Sequence, residues 1–140
     1  MATKLSPSGA DTLLSGLSTA LNGGILRIYS GGEPTTATTT LSGNTLLAEL
    51  TFSATAFGPP STSGSNRVIT ANLITSDTSA NAEGIATFFR AFRSDNTTII
   101  LQGTAGDSAE LVMTGPGSNP YQVYLGGPVD IQSLTVAMPI

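Results

Sequence analysis

The chain has 140 residues, five of them basic and nine acidic, with no Cys and no His. That excludes disulfides, thiolate zinc sites and thiol nucleophiles, and it removes the usual general base and the commonest metal ligand. A net charge of −4 argues against nucleic-acid binding, which needs clustered Lys and Arg to neutralise phosphates.

The length fits one domain, which buries roughly two-thirds of its unfolded surface and so needs no covalent staple. Ser and Thr make up 37 residues, and Gly and Pro another 24. With few charges and regularly spaced aliphatics, this is a loop-rich β composition rather than a disordered one. No apolar run approaches the ~18 residues that span a bilayer. Met1–Ser6 lacks the apolar stretch of a signal peptide, so synthesis in a cytoplasm without export by that route is expected, with no membrane partner.

Residues 1–7 read as a polar arm ending in Pro7, either frayed or ordered by a partner. Residues 8–140 then form the single domain. Ser8 is the expected helix cap, with Asp11 favouring the positive helix end. Ala10, Leu13, Leu14, Leu17 and Leu21 make one apolar stripe, and Asn22-Gly23-Gly24 stops the helix. Ile25–Tyr29 is the first strand. Glu33–Thr45 is a Thr-rich loop without periodicity, whose Thr38–Thr40 run reads as an edge strand or, preferably, a mobile tip. Leu46, Ala48, Leu50 and Phe52 alternate with Leu47, Glu49 and Thr51, the pattern of a half-buried strand. Ser61–Asn66 reads as a polar loop, and Ile69, Ala71 and Leu73 as the inward face of a third strand.

Residues 84–103 carry three of the five Phe residues and read as a β-hairpin around Ser94-Asp95-Asn96. A two-residue loop pairs Phe92 with Ile99. A three-residue loop with Asn96 left-handed pairs Phe89 with Leu101 and Ala91 with Ile99, and is preferred because it gives a clean core face. Phe88, Arg90, Phe92, Thr98, Ile100 and Gln102 then share the other face. Such a mixed stripe is either a second layer of the domain's own core or a protein contact surface. Phe88, Arg90, Phe92 and Ile100 are the candidate interface residues. On the contact-surface reading, Phe92→Asp would disturb assembly more than folding, whereas Leu50→Asp would prevent folding.

Short strands follow at Ala109–Met113 and Tyr121–Leu125, separated by the hard break Gly115–Pro120. The last strand changes parity at Gln132-Ser133, from Val129 and Ile131 to Leu134, Val136 and Met138. That predicts a bulge, or a bend carrying the strand between sheets. About eight strands with no βα repeat imply an all-β fold: a two-sheet antiparallel sandwich, jelly-roll-like, with one short N-terminal helix.

The residues carry little chemistry. Asp77, Glu83, Asp95, Asp107 and Glu110 are the carboxylate candidates for acid–base work, and all lie in or beside turns, where Asp is ordinary. No Ser has a His to activate it, and Lys4 is the sole Lys. No phosphate loop or EF-hand spacing occurs. A calcium ion bridging loop carboxylates has no favoured position. No catalytic, cofactor or metal residue is therefore assigned. Tyr29, Tyr121 and Tyr124 could offer a sugar-stacking face, although Tyr on a strand more often belongs to a core or rim.

Three runs, in order and spacing, carry a resemblance: Leu26-Arg-Ile-Tyr-Ser-Gly31, Thr45-Leu-Leu-Ala-Glu-Leu50, and Ala86-Thr-Phe-Phe-Arg90 followed by Asp95-Asn-Thr-Thr98 and Gln102-Gly-Thr104. Over about residues 25–138 the chain resembles the capsid cement (decoration) proteins of tailed bacteriophages. The resemblance implies a jelly-roll-like domain without enzymatic activity, on the outer surface of a virion capsid. It also implies the major capsid protein and a second copy of the chain, as a two-fold homodimer, as partners. It supplies no functional-residue motif. The competing expectation is a receptor- or carbohydrate-binding module on a tail or fibre.

Overall fold

A computed structural model describes residues 3–114 and 119–140; Met1, Ala2 and most of the expected break at 115–120 lie outside it. Helix α1 spans Pro7–Leu21, starting two residues earlier than the sequence suggested. Ser6, not Ser8, is the cap: its Oγ accepts the Gly9 N–H at 3.0 Å. Pro7 then occupies the first helical position, where a missing N–H costs nothing. Asp11 is drawn away from the helix end to Arg67, whose Nε and Nη2 donate to its two oxygens at 2.7 and 3.0 Å. This bidentate pair holds the Arg67 guanidinium above its ordinary pKa and ties the helix to a strand. Ala10, Leu14 and Leu21 are buried and Leu17 packs at the core margin. Leu13, counted in the same stripe, is 51% exposed.

Among the described residues ten strands follow: β1 Ile25–Tyr29, β2 Leu46–Thr51, β3 Ser61–Ser63, β4 Asn66–Thr70, β5 Gly84–Ile85, β6 Phe88–Phe92, β7 Ile99–Thr104, β8 Leu111–Thr114, β9 Gln122–Val123 and β10 Asp130–Pro139. Eight form two antiparallel four-stranded sheets, ordered β2-β1-β6-β7 and β3-β4-β10-β8, while β5 and β9 form a small third ladder. The two large sheets pack as a sandwich. The first is two hairpins side by side, and in the second the β3–β4 hairpin lies beside β10 and β8, which β9 separates in the chain; this order does not establish the jelly-roll detail. The core between them gathers Leu26, Ile28, Leu50, Phe89 and Ala91 from the first sheet and Ile69, Leu111, Met113 and Leu134 from the second, with Leu14 and Leu21 from α1.

Irregularities decide which residues enter this core. In β2 the register shifts, so that Ile28 faces Ala48 but Tyr29 faces Leu46. The extra residue is Leu47, which is fully buried rather than outward as strict alternation required. In β10 the shift lies between Ile131 and Ser133, where the parity change predicted a bulge; the strand nonetheless stays in one sheet, pairing β8 with its first half and β4 with its second. The third strand ends earlier than its alternation implied. Ile69 is buried, but Leu73 lies past the end of β4 and is 85% exposed. Its place as a short edge is taken by Ser61–Ser63, all exposed, which pairs with β4 where a loop was expected.

The central hairpin forms, with Asn96 at φ 67°. Asp95 organises the turn by accepting the N–H groups of Thr97 and Thr98 and the Thr98 hydroxyl. Next to the turn Phe92 faces Ile99. Beyond a register shift, Ala91 faces Leu101 and Phe89 faces Gly103. Neither uniform register therefore holds, although Phe89 and Ala91 do lie on the core face. Phe89 can face position 103 because that residue is Gly: a Cβ there would sit 2.7 Å from the Phe89 ring.

Candidate interaction surfaces

Phe88, Arg90 and Phe92 lie on the face of the first sheet turned away from the sandwich core, as alternation requires. They are not open to solvent: Phe88 is 0%, Arg90 4% and Phe92 5% exposed. Ile100 leaves this group. It is the extra residue opposite the Ala91–Phe92 step, half-buried and packed against the core cluster. The four residues thus do not form a free contact surface on the folded chain; three belong to a second buried layer and one to the core margin.

This layer is built from aromatic rings and arginines. Phe88 stacks on Tyr29 with centroids 5.2 Å apart. Arg27 lies 4.6 Å from the Phe92 ring centre, donates to Glu49 at 2.8 Å and also donates to the Asn96 side chain. Arg27 and Arg90 face each other across β1 and β6, a like-charge pair that is unfavourable alone. Each cation is met on its far side: Arg27 by Glu49, Arg90 by acceptors. Arg90 Nε donates to Gln102 at 2.9 Å, and its Nη2 to the Thr39 carbonyl at 2.7 Å and the Thr36 carbonyl at 3.4 Å.

Those carbonyls belong to the Thr-rich segment between β1 and β2, whose Thr38–Thr40 run is expected as a mobile tip. It is a strap laid on the sheet. Gln102 Nε2 donates to the Pro34 carbonyl at 2.9 Å and to Glu33 at 3.3 Å. Thr87 Oγ1 donates to the Gly31 carbonyl at 2.6 Å. No single-sequence signal marked this, because the strap is fixed by main-chain carbonyls, which every residue possesses.

Exposed apolar groups gather elsewhere. Ile85 on β5 is 42% exposed, and Tyr124 and Leu125, directly after β9, are 57% and 68% exposed. Ile85 faces Gln122, two residues before Tyr124, so the ladder brings these side chains to one region. The three Tyr residues do not make a stacking face. Tyr29 is buried. Tyr121 is half-buried with its hydroxyl donating to Asp107 at 3.0 Å; desolvation, then this carboxylate, pushes its phenol pKa up. Tyr124 alone is open.

Four of the five carboxylate candidates, Asp77, Asp95, Asp107 and Glu110, are spent on structural hydrogen bonds, and the fifth, Glu83, is exposed. Asp77 accepts the Glu49 and Ser79 N–H groups, so that residues 75–81 cover the edge of β2, with Thr75 and Asn81 donating to Thr51 and Leu47. Glu110 accepts from Thr104. Among the described residues no group of three or more acidic side chains is placed to hold a metal ion, and no helix is long and apolar enough to cross a membrane. A groove of about 290 Å³ runs between α1, β7 and β10, lined by Leu13, Leu17, Leu101, Val136 and Met138 among others. No protein-family model matches the chain, and comparison with curated proteins and with solved structures finds no match.

Proposed function

We propose that the protein is a non-enzymatic structural binder, a capsid cement protein of a tailed bacteriophage that docks on the outside of the shell and clamps neighbouring copies of the major capsid protein. The reading rests on the exposed apolar region formed by Ile85, Tyr124 and Leu125. Its support is physical: clustered apolar and Tyr side chains on an otherwise Ser/Thr-rich surface suit protein contact. A surface with one Lys and four Arg also has few long flexible chains to immobilise on docking. Even ~1,000 Å² per contact is enough for a specific interface, and repetition over a closed shell multiplies it through avidity. The sequence resemblance supplies the virion context, and a two-fold homodimer is part of the same proposal.

The test is the copy number of this chain relative to the major shell protein in purified particles, by quantitative mass spectrometry. A ratio within about twofold of one is expected, together with particles that fail at lower temperature once the protein is stripped. A few copies per particle would assign it to the tail or fibre instead. The sugar-binding reading draws little support, because one Tyr of three is open.

A further inference from the structure

We infer that the open edge of β7 is a docking site for an extended strand of another protein, antiparallel to β7, in which basic and apolar residues alternate. β7 ends the first sheet on one side; the opposite edge, β2, is already covered by residues 75–81. The Ala105 N–H donates to the Thr87 carbonyl at 3.0 Å, which sets the phase of the β6–β7 ladder. In the same phase Gly103 bonds with Phe89 and Leu101 with Ala91. In an antiparallel pair such residues alternate with residues whose N–H and C=O point away from the partner. Gln102 and Thr104 are therefore turned to the open edge, where they are only half-buried. Among the described residues their main-chain groups have no hydrogen-bond partner. None of these residues belongs to the exposed apolar region on which the capsid reading rests.

The two sides of this edge differ in chemistry. On the inward side, next to Leu101, lies the groove of about 290 Å³ between α1, β7 and β10, with Leu13, Leu17, Val136 and Met138 in its walls. Leu13 is exposed there, so an incoming strand would cover apolar surface that the chain leaves in water. The outward-face side chains, Gln102 and Thr104, each hold an exposed carboxylate. Glu33 accepts from Gln102 Nε2 at 3.3 Å and Glu110 from Thr104 Oγ1 at 2.9 Å. Neither has a cation: among the described residues Arg27 pairs with Glu49 and Arg67 with Asp11, and Arg90 is engaged by Gln102 and the strap carbonyls. A second copy of the chain fits poorly. Antiparallel self-pairing would bring Glu33 and Glu110 of one copy against those of the other, and a charge on an edge strand is a guard against such pairing. A basic strand meets the same carboxylates favourably. In an antiparallel pair, facing residues share a face. The partner residues bonded to the main chain of Gln102 and Thr104 therefore point their side chains at the carboxylates, and the residues between them point into the groove. Main-chain bonds with alternate side chains in pockets are the means by which sheet edges bind peptides.

Amide hydrogen exchange of the unmodified chain tests whether the edge is open. Gln102 and Thr104 are expected to exchange about 100-fold or more faster than Leu101 and Gly103 of the same strand. Equal protection would overturn the proposal, because the edge would already be paired. For binding, the whole chain is titrated with a short, end-blocked peptide of alternating Val and Lys and followed by NMR. Saturable shifts at Leu13, Leu101 and Met138 are expected, with new protection of the Gln102 and Thr104 amides. N-methylation of the Lys residues, whose N–H groups face β7, should weaken binding about 10-fold or more. A Val–Glu peptide should not bind, and Glu33→Lys combined with Glu110→Lys should reverse the preference. No saturable binding, equal binding of the two peptides, or full affinity after N-methylation at Lys would each reject the site. If the double variant does not fold by circular dichroism, Leu13→Lys, at an exposed position, takes its place. It should lose peptide binding, and unchanged affinity would reject the groove as part of the site. Protection of the Gln102 and Thr104 amides that grows with protein concentration alone, with a dimer in analytical ultracentrifugation, would give the edge to a second copy and overturn the choice of partner.

Discussion

The two faces of the first sheet are both covered, the outward one less completely, and by different means. The inward face, with Leu26, Ile28, Leu50, Phe89 and Ala91, is closed by the apolar side chains of the opposite sheet and α1. The outward face, with Arg27, Tyr29, Phe88, Arg90 and Phe92, is closed by stacked rings, two arginines and a polar strap. Apolar packing resists any charge and any cavity. The second layer already contains cations with organised partners, so it should tolerate changes the first does not. Burial alone therefore does not tell a core from a covered surface; the chemistry of what does the covering distinguishes them.

The largest break should come from Leu50→Asp, which places a carboxylate at a 1%-exposed position with no described cation beside it. No folded monomer is expected by circular dichroism, because an unpaired buried charge costs several kcal/mol, much of a domain's stability. Phe92→Asp, on the other face, should be milder than Leu50→Asp but still destabilise by about 3–4 kcal/mol through loss of the ring. The new carboxylate would have Arg27 beside it as a partner. A urea midpoint equal to that of the unmodified chain would show the second layer to be dispensable. This replaces the sequence expectation that Phe92→Asp would disturb assembly more than folding.

Gly103→Ala tests the contact across the hairpin. Its Cβ would meet the Phe89 ring at 2.7 Å, and overpacking of this kind costs about 1–3 kcal/mol, again read from the urea midpoint. Arg90→Met keeps the volume and removes the donors to Thr36 and Thr39. A loss of about 1–2 kcal/mol is expected, expressed as faster proteolysis of the strap more than as a lower Tm. A fall in Tm as large as that of Phe92→Asp would mean that the strap folds with the sandwich as one unit.

The smallest effect belongs to the hairpin turn. Asp95 is held at a pKa of about 2 rather than the ordinary 3.8, first by the Thr98 hydroxyl and then by the Thr98 and Thr97 N–H groups. Because the folded value is the lower one, the stabilisation is present above the unfolded value. It is lost as pH falls from about 4 through about 2. The Thr97 and Thr98 amide resonances should titrate with a midpoint of about 2, and Asp95→Asn should abolish that titration. A midpoint near the ordinary carboxylate value would mean that the turn bonds do not hold in solution.

What the sequence by itself determined is local. Alternation placed Phe89 and Ala91 on one face of β6 and Phe88, Arg90 and Phe92 on the other, because a strand's side chains have a period of two. Turn chemistry placed Asn96 in the left-handed region, and the parity change at Gln132-Ser133 located a bulge, since both are written in consecutive residues. The tertiary structure decided the rest. Leu47 turned inward because a register shift against β1 added a residue to β2, and Leu73 fell outside because β4 stopped at Thr70. Ile100 left its stripe by the same kind of shift. The candidate interface residues were correctly grouped in part, but their burial was not legible. It depends on a strap whose attachment to Arg90 and Gln102 runs through main-chain carbonyls, and a carbonyl leaves no mark in the sequence. Which segment supplies it is settled only when distant parts of the chain are packed together.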